Sequence, residues 1–168
     1  MDNEITQLDA IQSLFCSDAE IAEMSNIGEW LSRYSDFFES LDETKLEQCD
    51  QVFNQQIRFK DPFNDVVGIE SVKQVFRHMF RVCETCQFEV SDSCGSSDQG
   101  YLHWKFLYRA KGSSKSRTII GISQVRFNPQ GEVIEHIDYW DSAEYVYEKL
   151  PLLGGVLSWI RKRYLQAV

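Results

Sequence analysis

The feature that most constrains this chain is a change in its hydrophobic period. Ile27, Trp30, Leu31, Tyr34, Phe37, Phe38 and Leu41 recur at three and four, which predicts an amphipathic helix. Asp42 or Thr44 can cap a second helix with Leu46, Cys49, Val52 and Phe53 on its inner face. A short strand is expected at Ile57–Asp61, stopped by Pro62, which cannot donate to a ladder. Ile69, Val72, Val75, Phe76, Met79, Phe80 and Cys83 then mark a third helix. Beyond Phe88 the period drops to two. Leu102, Trp104, Phe106 and Tyr108 alternate with polar neighbours, and a long strand is expected at 117–127. Asn128-Pro-Gln-Gly131 suits a tight hairpin turn, with Pro second and Gly fourth. Helices followed by an antiparallel meander predict an α+β domain that buries one sheet face against the helices.

The strand Val133–Asp141 is the most chemically loaded stretch. Its alternation sets Ile134, His136, Asp138 and Trp140 on one face. A His and an Asp beside a Trp are costly to bury unless hydrogen-bonded, so they line either a wetted surface or the floor of a pocket. Gly121, Ser123 and Val125 share one face of the preceding strand, and the turn at 128–131 can bring the two polar sets together.

Charge narrows the function classes. Of a net charge of -9, residues 1–50 carry 13 acidic and 2 basic side chains, whereas residues 51–168 carry 13 and 15. An acidic chain is not expected to bind nucleic acid, which needs basic surface to replace counterions. No apolar run reaches spanning length, so no membrane partner is expected. Asp2 and Glu4 stand where a secretory signal would be basic, and five scattered cysteines suit reduced thiols, so a cytoplasmic location is expected. Cys83-Glu-Thr-Cys86 has no second pair to complete a zinc site. His78 and His103 fall off the apolar faces, so no metal is expected, and no Gly-rich phosphate loop implies a cofactor. Three segments are expected: an acidic arm at 1–24, either a docked helix or a tail; a domain at 25–150; and an amphipathic helical appendage at 151–168. In the arm, Ser17 and Glu20 can form a capping box.

The order helix, helix, short strand ending Asp61-Pro62, helix, then sheet resembles the nuclear transport factor 2-like superfamily. That group includes ketosteroid isomerases, SnoaL-like polyketide cyclases, scytalone dehydratase and limonene epoxide hydrolase. The resemblance implies a cone-shaped, strongly curved antiparallel sheet on three helices (cystatin-like), with extra terminal helical segments here. It also implies a homodimer through the convex sheet face, where Ile120, Ile122 and Ile137 point outward. Asp61, followed by Pro, is similar to the ketosteroid isomerase general base, and Tyr34 lies near that family's oxyanion-hole Tyr. The second oxyanion donor of that family is an Asp, and Ser123 stands at the matching position. His136 and Asp138 are similar to the polar pair on the last strand of SnoaL-like cyclases, where an Asp is the acid/base.

Each residue has two readings. Asp61 is a general base or a turn-forming Asp capping the loop to Gly68. Asp138 is an acid/base or a buried carboxylate bonded to Tyr34, Trp104 or a backbone amide. His136 orients Asp138 or is a satisfied core histidine. Trp104 and Trp140 are core or pocket lining. The resulting expectation is a cofactor-free isomerase- or cyclase-like enzyme acting on a small hydrophobic carbonyl compound. Asp138, His136 and Asp61 would be catalytic; Tyr34, Trp104, Ser123 and Trp140 would bind substrate. The alternative is a non-catalytic module of the same fold that binds a hydrophobic ligand or a protein.

Overall fold

A computed structural model of the chain describes residues 18–150 and 152–165, with side chains placed from Asn26 to Tyr164 apart from Pro151. The expected cap at Ser17 lies outside the described residues. Helix α1 (Asp18–Ser40) runs unbroken across position 24. Its stripe of Ile27, Leu31, Tyr34, Phe37 and Phe38 is buried, as is Leu41 just past its end, while Trp30 is half-buried against the core. Asp42 caps a 3-10 turn (Glu43–Gln51) by accepting from the Thr44 and Lys45 amides, and Leu46 and Cys49 are its buried residues. Strand β1 (Phe53–Lys60) and the short β2 (Asp65–Val67) precede helix α2 (Ile69–Val82). Strands β3 (Cys83–Ser96), β4 (Gln99–Ala110), β5 (Arg117–Phe127) and β6 (Val133–Tyr139) complete the sheet. A short helix α3 (Ser142–Tyr145), a 3-10 turn (Tyr147–Lys149), helix α4 (Leu153–Ile160) and a π turn (Arg161–Leu165) follow.

The six strands form a curved, unclosed sheet in the order β2-β1-β6-β5-β4-β3. The sheet is mixed, which corrects the antiparallel expectation. β1 lies parallel to β6, with Phe59 opposite His136, while β3 to β6 form the expected antiparallel meander. The pairing arises because β1 enters the sheet before α2 and is met last by β6. Two element starts also differ. Phe53 opens β1 rather than closing a helix: Phe53, Ile57 and Phe59 point inward at a period of two, and exposed Gln55 interrupts that pattern. β3 begins at Cys83, directly at the end of α2, rather than near Phe88.

Helices α1 and α2 cover one face of the sheet. Ile119, Ser123, Val125 and Phe127 of β5 are buried on that face, whereas Ile120 and Ile122 are exposed on the other. Gly121 is required there. A Cβ at this position would stand 2.5 Å from the Trp104 ring, so the missing side chain is the space the indole occupies. The turn at Asn128 closes with Gly131 N–H donating to Asn128 C=O at 2.9 Å, and Gly131 has φ 74°.

Candidate active site

Ser123 and Asp138 are paired across β5 and β6, and Val125 is paired with His136. This register places the polar set of β6 against the polar set of β5 on the helix-covered face. The result is one continuous hydrogen-bonded chain. Trp104 Nε1–H donates to Ser123 Oγ at 2.8 Å, and Ser123 Oγ–H donates to Asp138 Oδ1 at 2.5 Å. His136 Nε2 lies 2.7 Å from the same Oδ1, and Tyr34 Oη lies 2.7 Å from His136 Nδ1.

The donors can be assigned by exclusion. A carboxylate oxygen only accepts, so His136 Nε2 donates to it, and in a neutral imidazole Nδ1 is then the acceptor for the Tyr34 hydroxyl. Burial, aided by the nearby Asp138 charge, holds the Tyr34 phenol well above its ordinary pKa, so it remains the donor this chain needs. The imidazole is also fixed sterically. It stacks on Phe59 at 4.7 Å and on Phe38 at 5.6 Å, and only 2% of His136 is exposed. Phe38 follows Tyr34 by one helical turn, a pairing legible in the α1 stripe. Phe59 reaches His136 only through the parallel β1–β6 pair, which no local pattern announces.

Asp138 borders an inner and an outer cavity, and also a shallower surface cleft shared with Asp61 and Trp140. The inner one, about 20 Å³, is lined by Tyr34, Phe38, Phe88, Trp104, Ser123 and His136 among others. It is the size of a single water molecule. The outer one is about 280 Å³, open on one side and mostly apolar. Phe38, Phe59, Val75, Phe76, Met79, Phe106, Ile119 and Val146 line it, together with Asp61, Asp138, Trp104 and Trp140. Asp138 Oδ1 holds both protein donors. Its Oδ2 has no hydrogen-bond partner among the described residues, and no buried side-chain oxygen or nitrogen among them is left unpaired. Oδ2 is therefore not sealed off, on a side chain that borders both cavities.

The expected residues thus separate into groups. Asp138, Trp104, Ser123, His136 and Tyr34 form the connected chain, but His136, Tyr34 and Ser123 touch only the inner cavity. Asp61 lines the outer cavity, yet its carboxylate serves its own turn. Oδ1 accepts from the Phe63 and Asn64 amides, each at 2.7 Å, and both oxygens accept from Asn64 Nδ2. Trp140 stands at the same end against Phe63, with ring centroids 5.3 Å apart. Phe63, Met79, Phe106 and Val146 are among the lining residues that the sequence reading does not name as such. Met79 and Phe106 carried a signal, since both lie on predicted inward faces; Phe63 and Val146 lie in connecting segments. His78 and His103 are both exposed, the latter bonded to Ser91 at 2.6 Å. No cluster of three or more metal-ligating side chains occurs among the described residues. Cys49, Cys83, Cys86 and Cys94 are free thiols, and burial pushes Cys86 up to about 11, away from redox reactivity.

No curated protein matches the sequence. Solved structures share the fold at low identity. An NTF2-like protein of unknown function from Exiguobacterium sp. 255-15 superposes with TM-score 0.58 at 21% identity, covering 67% of this chain and 98% of that one. A candidate SnoaL-like polyketide cyclase from Jannaschia sp. CCS1 gives 0.62 at 14%, covering 72% and 89%. An LEH-like epoxide hydrolase from M. tuberculosis gives 0.59 at 9%, covering 83% and 98%. These likenesses establish the fold, which small-molecule enzymes share, and leave the reaction to the site. The SnoaL-like domain model matches residues 34–136, a span that runs from Tyr34 to His136. The chain belongs to the SnoaL-like domain family.

Proposed function

We propose that this protein is a cofactor-free acid/base enzyme acting on a small hydrophobic carbonyl compound, with Asp138 as the proton-transferring group. The observation that carries the reading is the asymmetry of Asp138. One oxygen is held by Ser123 and His136, while the other has no partner among the described residues, on a side chain that lines the apolar outer cavity. A carboxylate oriented this way is positioned to take a proton from carbon α to a carbonyl. The C–H electron pair would become the enolate, and the same carboxyl would return the proton at a second carbon or assist ring closure. His136, Ser123 and Tyr34 position the base without touching substrate, and Trp104 both holds Ser123 and lines the cavity. Asp61 holds the turn at the cavity mouth, and Trp140 and Phe59 contribute apolar lining. The cavity volume lies near the lower end of the ~300–1,000 Å³ range of small-molecule sites, which suits a compact ligand.

A second reading is a non-catalytic carrier of a hydrophobic ligand. It is favoured by the Tyr34 hydroxyl and the Trp104 N–H, which are both spent inside the hydrogen-bonded chain rather than offered to a substrate oxyanion. One experiment separates the two. Hydrophobic cyclic ketones that raise the melting temperature are incubated with protein in D2O and followed by NMR. The enzyme reading expects deuterium at the α-carbon with the native chain and a loss of roughly 10²–10⁴-fold in Asp138→Asn. Ligands that bind equally to both proteins and never exchange would establish the carrier.

A further inference from the structure

Helix α4 is docked by the wrong side for a helix whose partner is its own domain. Gly154 is buried against Glu148, so closely that a Cβ would stand 2.1 Å from the Glu148 carbonyl oxygen. Its N–H donates to Leu150 C=O at 2.9 Å, and Arg161 pairs with Glu148 at 2.8 Å. The side that carries Gly154 and Arg161, with half-buried Leu157 and Ser158, therefore faces the Tyr147–Lys149 turn. Leu153, Val156, Ile160 and Tyr164 follow the three-four spacing that a globular helix ordinarily buries. Here they are exposed, at 41%, 54%, 37% and 67%, and Trp159 beside them is 59% exposed. Charge is segregated at the same end. Residues 149–168 contain Lys149, Arg161, Lys162 and Arg163 and no acidic residue, in a chain of net charge -9. Among the described residues, Lys162 and Arg163 have no carboxylate within salt-bridge distance.

We propose that this C-terminal segment lies in the plane of an anionic lipid surface. The apolar stripe would enter the acyl boundary, Trp159 and Tyr164 would sit at headgroup level, and Lys162 and Arg163 would meet lipid phosphates. At ~1.5 Å per residue the segment reaches ~20 Å, short of the ~30 Å hydrocarbon core, so it lies on a bilayer without crossing it. The absence of a spanning run, which argued from the sequence against a membrane, does not bear on this mode. An anionic surface attracts this cationic end of a chain whose net charge is -9. The docked end adjoins the outer cavity. The helix packs on Tyr147–Lys149, Tyr147 contacts Phe63 at 6.1 Å between ring centroids, and Phe63 and Val146 line the cavity. An apolar ligand would thus meet the cavity close to the lipid. The proposal stands independently of the acid/base reading.

The test is co-sedimentation of the full chain with large vesicles of phosphatidylcholine alone or mixed roughly 7:3 with phosphatidylglycerol. Binding to the anionic vesicles is expected to exceed binding to neutral ones by at least roughly tenfold and to fall with added salt. Lys162→Glu with Arg163→Glu should abolish the anionic preference, and Val156→Asp with Ile160→Asp should abolish binding to both. Circular dichroism and melting curves should stay unchanged in both variants, since these side chains are exposed. Equal, weak sedimentation with both lipids would overturn the proposal. So would a dimer that Val156→Asp with Ile160→Asp dissociates in solution while no vesicle is bound, because a second copy would then cover the stripe.

Discussion

Ser123 accepts from Trp104 and donates to Asp138, so a single hydroxyl orients both the indole and the carboxylate. It can do so because β5 presents Ser123 opposite Asp138 while the Trp104 ring fills the space above Gly121. Ser123→Ala removes two hydrogen bonds and leaves the Trp104 N–H, on a residue 6% exposed, without an acceptor. A buried unsatisfied donor costs ~1–3 kcal/mol, and urea unfolding of the variant should show a loss in that range. An unchanged midpoint would mean that the indole N–H finds another partner and that the chain of bonds is not cooperative.

Asp61 and Asp138 both reach the outer cavity, and substitution can separate their roles. Asp61→Asn keeps an oxygen that can accept from the Phe63 and Asn64 amides, so it should preserve the turn. Asp61→Ala removes that acceptor and should cost ~0.5–2 kcal/mol, as the loss of a comparable side-chain cap does. If the carboxylate is structural, Asp61→Asn retains ketone exchange and binding within about twofold, far from the loss expected on replacing a general base. A drop as large as that of Asp138→Asn would instead make Asp61 a second proton-transfer group.

Much of this site is legible in the sequence because it depends on parity. Alternation alone puts His136, Asp138 and Trp140 on one face, and the Asn128–Gly131 turn supplies the strand partner. The α1 stripe likewise announces that Tyr34 points inward. The partners of Asp138 are less legible. Tyr34 and Trp104 are each one step removed from it, with His136 and Ser123 between, because hydrogen-bond order depends on ångström distances that residue spacing does not encode. The parallel β1–β6 pair is invisible for a different reason. It joins strands separated by α2 and four other strands, and the Phe53–Phe59 pattern is broken by a polar residue at an inward position. Lys73 gives no signal either, since a lysine inside an apolar stripe reads as surface until its three carboxylate partners are placed.

The outer face of the sheet carries a further expectation. Ile122 is paired with Tyr139, and these residues are 45% and 55% exposed, with Ile120 at 43% and Tyr101 at 42%. Among the described residues, the C-terminal segment packs on Tyr147–Lys149, and these side chains of the outer face stay exposed. A symmetric pair of chains would bury the patch against itself. Light scattering at micromolar concentration should therefore give twice the 19.6 kDa of one chain. Ile122→Asp should return the mass of a single chain without changing the melting curve by more than the loss of the pair itself. A single-chain mass for the native protein would end the proposal.

Lys73 offers a prediction in pH. Its side chain is 2% exposed, and its ammonium lies 2.9 Å from Glu47, 3.0 Å from Asp50 and 3.2 Å from Glu70, tying the first 3-10 turn to α2. Burial alone would push the ammonium down. The hydrogen bonds to three carboxylates outweigh burial and hold it above the ordinary lysine value. The folded chain therefore favours the charged form more than the unfolded chain does. Its contribution is fully present below the ordinary lysine value of ~10.4 and is lost as pH rises through the higher folded value. Lys73→Met keeps the apolar stem and removes the charge. Glu47, Asp50 and Glu70 are 75%, 47% and 68% exposed and can rehydrate, so the cost should fall below the ~3–5 kcal/mol of breaking a fully buried pair. A loss of ~1–3 kcal/mol at neutral pH is expected from urea unfolding, the range for hydrogen bonds to charged groups. The gap between the two proteins should stay constant through neutral pH and narrow only above the ordinary lysine value. A gap that persists at strongly alkaline pH would show that the stem's packing, rather than the ammonium, supplies the stability.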